Sequence, residues 1–321
     1  MVLTARVVEI DKPLMTAVEA QPERVEIALR DVSVCYGIGA KRKTVLSHLD
    51  LDIYAGEFVA VLGETGCGKS TLLRMVLGQE FPTSGSICVD GKTVSRIDAR
   101  CGYVPQKYSL FPDRTMIENV MYGPENARMG SLGWLGRLLP SYRAFKKRLR
   151  AEAEEQLLRM GLRATDFRKY PHQLSGGMQQ RVAIAQALMM RPPVLLMDEA
   201  FSALDPATRA SLQQQLREVW MERRPTILFV THNTAEALLL GTRLLVLGQH
   251  NESAKGEGSA KSNVVLDMPL PQSDEPVAVR KQSREFHELS EFVTRRAYGH
   301  SGARVENELE ADAEAMEEAA Q

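Results

Sequence analysis

Residues Gly63 to Ser70 read G-E-T-G-C-G-K-S, directly after an apolar run from Phe58 to Leu62 and before an amphipathic stretch closed by Gly78. Glycines let consecutive backbone N–H groups turn inward around an anion, and the Lys69 ammonium reaches the terminal phosphates of a nucleotide. The Ser70 hydroxyl suits a Mg2+ ligand. The helix that opens here, through Thr71, Leu72, Leu73, Met75, Val76 and Leu77, turns its positive end toward the same charge. Strand, glycine-rich turn and helix together predict a cradle for a nucleoside triphosphate, formed by Gly63, Glu64, Thr65, Gly66, Cys67, Gly68, Lys69, Ser70 and Thr71.

Composition narrows the class. A chain of 321 residues with 44% hydrophobic content can bury a sizeable core, and a formal net charge of −1 gives no electrostatic case for nucleic acid. The four cysteines, Cys35, Cys67, Cys88 and Cys101, form no C-x-x-C pair, which speaks against a disulfide framework or a zinc site. Cys67 sits inside the phosphate loop, either as a thiol whose alkylation blocks the nucleotide or as a small residue that fits. The N-terminus lacks the apolar core of a secretion signal, and no run approaches the length of a membrane span. The expectation is a cytoplasmic protein whose membrane role, if any, comes through a partner.

Along the chain, residues 1–24 read as a poorly ordered extension. Val25 to Val34 alternates as a half-buried strand ending in Cys35-Tyr36-Gly37, and Leu49 to Ile53 is a second strand. Tyr36 has two readings, a platform for an adenine ring or ordinary packing at a strand end. Ser86 to Gly91 reads as a short strand and turn, and Tyr103-Val104-Pro105-Gln106 closes another strand at its proline. From Phe111 to Arg168 the period is helical, with one helix around Met116, Val120 and Met121 and another from Leu149 to Met160, ended by Gly161. Between them lie an apolar Gly130–Pro140 stretch containing Trp134 and the basic run Arg143, Lys146, Lys147, Arg148, Arg150. That stretch suits either a partner or membrane surface or a connecting loop with a solvated charged face.

Leu174-Ser175-Gly176-Gly177-Met178-Gln179-Gln180-Arg181 opens a helix with Ser175 as its cap, and two glycines there leave bare N–H groups. Val194-Leu195-Leu196-Met197 is an uninterrupted apolar run ending in Asp198 and Glu199, as in a central parallel strand covered on both faces. Ligands of open α/β sheets gather beyond the carboxyl ends of the strands, which puts both acids near the phosphates. Adjacent at a strand end, the two point different ways, so one can hold a metal while the other orients water. Asp205 caps the next helix with Pro206 in its first turn, Thr226 to Val230 is a buried strand delivering Thr231-His232, and Leu244 to Leu247 is a further strand. After Gln249 a linker precedes a short helix, Glu285 to Tyr298, and an acid-rich tail, Val305 to Gln321.

In order and spacing, G-E-T-G-C-G-K-S, Gln106 after a strand, L-S-G-G-M-Q-Q-R, L-L-M-D-E, S-A-L-D and Thr231-His232 resemble the ATPase subunits of ABC transporters over Val25 to Gly248. The resemblance implies an α/β fold of the P-loop NTPase class: a RecA-like, mostly parallel sheet with an antiparallel β subdomain and an inserted helical subdomain at about 107–178. It implies an ATPase domain over 25–248 and a C-terminal extension over 249–321. By the same resemblance, Tyr36 stacks on adenine, Ser70, Gln106 and Asp198 serve Mg2+, Glu199 is the general base and His232 the switch on the γ-phosphate. Lys69 completes the catalytic set with Gln106, while Ser175, Gly176, Gly177, Gln179 and Asp205 serve a nucleotide across a dimer. ATP and Mg2+ are the implied cofactors. A second copy or a homologous ATPase subunit, transmembrane permease subunits and a substrate-binding protein are the implied partners, with no nucleic acid, on the inner face of the cell membrane.

The phrases M-Q-Q-R and V-A-I-A-Q-A-L and the stretch from Val264 to Pro271 are similar to bacterial importers of nitrate, sulfonate or taurine. Two positions depart from the family pattern: Ala200 stands where proline is usual and Asn233 where aspartate is usual. The competing readings are an exporter or another cargo, a non-transport relative acting on ribosomes or DNA, and a phosphate-loop kinase. One phosphate loop, one Ser-Gly-Gly-x-Gln string and no sustained heptads separate the chain from the latter two.

Overall fold

The computed structural model describes residues 24–37, 42–97, 100–107, 110–129, 140–202, 204–249, 263–272 and 277–298. The expected N-terminal extension, the Trp134 stretch, most of the linker and the acidic tail lie outside these residues.

Two sheets organise the chain. β1 (Val25–Tyr36), β2 (Lys43–Tyr54), β4 (Ser84–Val89) and β5 (Lys92–Thr93) form an antiparallel sheet in the order β2-β1-β4-β5. The larger sheet has six strands in the order β10-β9-β3-β8-β7-β6, from β3 (Phe58–Gly63), β6 (Cys101–Val104), β7 (Val194–Asp198), β8 (Thr226–Val230), β9 (Arg243–Leu247) and β10 (Val264–Pro269). Its pairings are parallel except that of β10 with β9. The fold is thus the expected α/β arrangement of a mostly parallel sheet beside an antiparallel one.

Side-chain parity explains why the central strands are apolar throughout. Phe58, Ala60 and Leu62 of β3, Leu195 and Met197 of β7, and Ile227 and Phe229 of β8 enter one core. The alternate residues Val59, Val61, Val194, Leu196, Leu228 and Val230 enter the other. A strand buried on both faces must be apolar at every position.

The first core is covered by α2 (Met116–Met129), α3 (Pro140–Arg159), α4 (Gly176–Met189), α5 (Pro206–Arg223), α6 (Thr234–Leu240) and α8 (Arg284–Tyr298). The second is covered by the antiparallel sheet and α1 (Lys69–Leu77). A short helix, α7 (Val277–Gln282), leads into α8.

The elements depart from sequence expectation at three places. β2 starts at Lys43 rather than Leu49, because a bulge with His48 at φ 46° lets Leu46, Thr44 and Lys43 go on pairing with β1. α3 starts at Pro140 rather than Leu149, so the basic run lies on the exposed face of the same helix, where Arg150 pairs with Glu154. β10 replaces an expected stretch of tail. Its alternating half-buried and exposed residues suit a strand at the sheet edge. Arg243 holds it by paired bonds of 2.7 Å to both carboxylate oxygens of Asp267.

Asn263, buried just before β10, ties the two sheets together. Its Oδ1 accepts from the Ser47 amide at 2.7 Å, and its Nδ2 donates to the Val45 and Gly248 carbonyls at 3.0 and 3.1 Å. Asn263→Ala leaves these buried backbone groups unpaired and is expected to lower stability by about 2–3 kcal/mol, measured by urea unfolding. No described helix is long and apolar enough to cross a membrane.

Candidate nucleotide site

Register creates the site. Asp198 of β7 is opposite Val230 of β8, Val230 is opposite Val61 of β3, and Met197 is opposite Val104 of β6. The residues that follow, Glu199, Thr231-His232, Gly63 with its loop, and Pro105-Gln106, therefore leave the sheet along one edge.

The loop between β3 and α1 uses glycine where backbone geometry requires it. Gly63 has φ 149°, and a Cβ there would stand 2.2 Å from the Leu247 carbonyl oxygen. Gly68, at φ 105°, precedes the first turn of α1, and a Cβ would run into Leu46. Gly66, at φ 83°, faces open space. Lys69 is buried, and its Nζ donates to the carbonyls of Gly63 and Glu64 at 2.6 and 2.9 Å. Gln249 donates to the Thr65 carbonyl at 3.3 Å. Cys67 is buried, and its burial pushes the thiol's pKa up. An inert small residue is the reading this favours over a reactive one.

Ser70 Oγ donates to Asp198 Oδ1 at 3.1 Å, joining the start of α1 to the end of β7. Burial pushes the Asp198 carboxyl up; Ser70 pulls it down, and the neighbouring Glu199 charge adds to the rise. Two hard oxygen donors, one anionic, beside a phosphate loop fit a divalent cation that keeps phosphate and water ligands, as Mg2+ does. Among the described residues no group of three or more His, Cys, Asp or Glu side chains could hold a metal by itself, so a cation here would depend on the nucleotide's own oxygens.

Glu199 lies in the left-handed region at φ 46°, a conformation rare for a side chain of this size. The turn after it is locked by Ser202, whose amide and hydroxyl both donate to the Glu199 carbonyl, at 3.1 and 2.9 Å. Gln106 Nε2 donates to Glu199 Oε2 at 2.7 Å, and His232 Nδ1 stands 3.7 Å from the same oxygen. The His232 imidazole is the main influence holding the Glu199 carboxyl below its ordinary range, against the opposing effect of burial. Ala200 and Phe201 behind it are buried, so alanine fills the position where proline is usual.

Around His232, Asn233 caps α6 by accepting from the Glu236 amide at 3.1 Å, a bond an aspartate would also make. Buried Glu236 accepts from Thr231 Oγ1 at 2.6 Å and from Gln213 at 3.3 Å, with Arg209 of α5 at 3.7 Å. This buried cluster, linking α5 to the residue before the histidine, has no sequence motif. Only the spacing of Thr231 and Glu236 hints at it.

Tyr36 is 43% exposed beside the first turn of α1, with its hydroxyl donating to Glu80 at 2.7 Å and 3.4 Å from Thr71 Oγ1. The open ring face is compatible with either reading of the residue.

The second anion-binding candidate is built separately. Ser175 Oγ accepts from the Met178 amide at 3.3 Å as the cap of α4, and Gln179 donates to the carbonyls of Pro171 and Leu174. Gly177 packs against the start of α5, where a Cβ would lie 3.3 Å from Thr208 Cγ2 and 3.5 Å from Leu204 Cδ2. Asp205 caps α5 by accepting from the Thr208 amide at 3.0 Å, and that bond holds its carboxyl low. Ser175, Gly176, Gly177 and Asp205 thus share a corner. Among the described residues no hydrogen bond or ion pair joins that corner to the Lys69 loop.

A family model described as ABC transporter matches residues 46–202. The aliphatic sulfonates import ATP-binding protein of Burkholderia ambifaria is 38% identical over 290 residues, 89% of this chain and 77% of that protein. The nitrate import ATP-binding protein of Synechococcus elongatus is 36% identical over 254 residues, 78% of this chain and 85% of that protein. Other relatives are named for bicarbonate transport and for spermidine/putrescine import. An ATP-binding cassette solved as a dimer in a post-hydrolysis state with ADP and Pi superposes with a TM-score of 0.61 at 29% identity. It covers 77% of this chain and 100% of that one.

The depressed Glu199 carboxyl has a pH consequence. Its ionised form favours the folded state at pH values above its ordinary 4.5, and the advantage is lost as the pH falls through its lower folded value. Urea midpoints of Glu199→Gln and the parent should therefore differ at neutral pH and converge in acid below that value.

Proposed function

The chain belongs to the ABC transporter family as an ATP-binding, ATP-hydrolysing subunit, and on that premise we propose that it powers import through separate membrane subunits by dimerising around ATP. The observation that carries the reading is the convergence of Lys69, Ser70, Asp198, Glu199, Gln106 and His232 on one sheet edge, with Glu199 held between Gln106 and His232.

The residues take these roles. The loop from Gly63 to Thr71 binds the triphosphate through its backbone amides and the Lys69 ammonium, and Tyr36 offers its ring to the adenine. Ser70 and Asp198 would hold Mg2+, with Gln106 beside it. When bound, the metal supplies charge neutralisation at the phosphates. Glu199 is the general base: its carboxylate stays ionised, its turn is fixed by Ser202, and Gln106 holds one oxygen so that the group is oriented toward attacking water. His232 contacts the terminal phosphate while keeping Glu199 charged.

The Ser175-Gly176-Gly177 helix start and Asp205 form an anion-binding corner with no hydrogen bond to the chain's own phosphate loop. A second copy, or a homologous subunit, related by a two-fold axis supplies the phosphate that this corner caps, so nucleotide becomes part of the interface. Gln179 supports the corner by holding its own loop. Closure on ATP and opening after hydrolysis then shift permease subunits between two states, with the chain peripheral on the inner membrane face. Similarity to sulfonate and nitrate importers supports a small anion as cargo, of the nitrate, sulfonate or taurine kind, delivered by a substrate-binding protein.

Glu199→Gln should lower hydrolysis by roughly 10²–10⁴-fold while ATP still binds and dimers accumulate. Phosphate release and size-exclusion chromatography with ATP read the two effects; unchanged turnover, or a strictly monomeric ATP-loaded variant beside its permease, would overturn the reading. Lys69→Ala should instead weaken nucleotide binding itself, measured with a fluorescent ATP analogue. Uptake of radiolabelled taurine, nitrate and spermidine by the reconstituted transporter tests the cargo, and spermidine uptake alone would defeat the anion assignment.

A further inference from the structure

We propose that Tyr298, the last residue of α8, is a positioning residue for ATP hydrolysis: its phenol holds the backbone carbonyl of His232 and so sets the peptide from which the imidazole reaches Glu199. The proposal rests on the role given to His232 above.

Tyr298 Oη donates to the His232 carbonyl at 2.6 Å. That carbonyl precedes the helical ladder of α6, whose first acceptor is the carbonyl of Asn233, bonded by the Ala237 amide. His232 is therefore a joint between a strand paired on both sides and a helix that begins two residues later, after its cap Asn233. The phenol pins that joint from outside.

The rest of the C-terminal segment holds the helix side of the joint still. One turn before Tyr298, Thr294 Oγ1 donates to Thr234 Oγ1 at 3.3 Å between buried side chains. Val293 and Ala297 join the core that contains Ala237, Leu238 and Leu240. At the far end of α6, Arg280 of α7 donates to the carbonyls of Leu238 and Leu239 at 3.4 and 3.3 Å, as a cation does at a helix C-terminus. Both ends of α6 are thus bonded to residues 277–298, a segment beyond the 46–202 match to the family model. Within this contact the Tyr298 hydroxyl reaches the backbone of the histidine itself.

The chemistry separates position from packing. Phenylalanine at 298 keeps the ring and loses only the donor. The nucleotide loop, Lys69 and the Ser70–Asp198 pair lie on other elements, and His232 is given only the terminal phosphate, so KM for ATP should move less than kcat. The expected result for Tyr298→Phe in the full chain assembled with its permease is a kcat lower by about three- to tenfold, the equivalent of one hydrogen bond, with a smaller change in KM for ATP. In a His232→Ala background the same substitution should have no further effect on the residual turnover, because the group that it positions is gone.

Unchanged kcat in Tyr298→Phe overturns the proposal, as does an equal fall in the His232→Ala background, which would mean that the phenol acts elsewhere. A rise in KM as large as the fall in kcat also overturns it, since that places the phenol's effect on ATP binding rather than on the hydrolytic step. Full activity of His232→Ala by itself defeats the role given to the histidine, and is a separate outcome from a silent Tyr298→Phe beside an inactive His232→Ala.

Discussion

Parallel pairing of β3, β8, β7 and β6 brings the carboxyl ends of four strands to one edge, and the register of that pairing determines which side chains meet there. A strand displaced by one residue would turn Asp198 or Val230 to the opposite face and break up the arrangement of Ser70, Asp198, Glu199 and His232. The register is held by burial on both faces, because Phe58, Ala60 and Leu62 belong to one core while Val59 and Val61 belong to the other. Polar chemistry is confined to the place where the hydrogen-bond ladder stops. There Asp198 is raised by burial and Glu199 lowered by His232, so two neighbouring carboxylates have opposite electrostatic settings.

The central strands and the phosphate loop were readable because each has one physical solution. Four-to-six-residue apolar runs between turn signals have the length of buried strands, and Gly63 and Gly68 stand where a Cβ would collide. The caps at Ser175 and Asp205 were equally legible, since a short polar side chain ahead of an apolar helix has a local partner three residues on. The N-terminal part of β2 was hidden by a bulge, which interrupts the alternation that marks a strand. β10 was hidden for a different reason: a short strand against a preformed edge draws its order from Arg243 and Asn263, residues distant in sequence or outside the strand. The Thr231–Glu236–Arg209 cluster and the Tyr298 contact are pairings between elements, and no local pattern records them.

α5 and α6 meet beneath the site through Glu236, which is bonded to Thr231 and Gln213 and close to Arg209. α5 also begins at Asp205, beside Gly177 at the start of α4. A continuous set of contacts therefore runs from the corner of Ser175, Gly177 and Asp205 to the residue before His232. Rigid helices and buried polar contacts are the kind of connection through which occupancy at one surface can bias geometry at another, given two arrangements of the parts.

The Arg243–Asp267 clasp also bears on how the chain behaves before it finishes folding. β9 is apolar from Leu244 to Leu247, and β10 covers the side that β3 does not. A chain cleaved in the 250–262 connection, or one emerging from synthesis short of Val264, would leave that greasy rim bare. An open row of amides and carbonyls on such a rim invites the strand of a neighbouring molecule. Proteolytic loss of the last sixty-odd residues should thus surface as precipitation, in addition to the fall in turnover that the loss of Tyr298 brings.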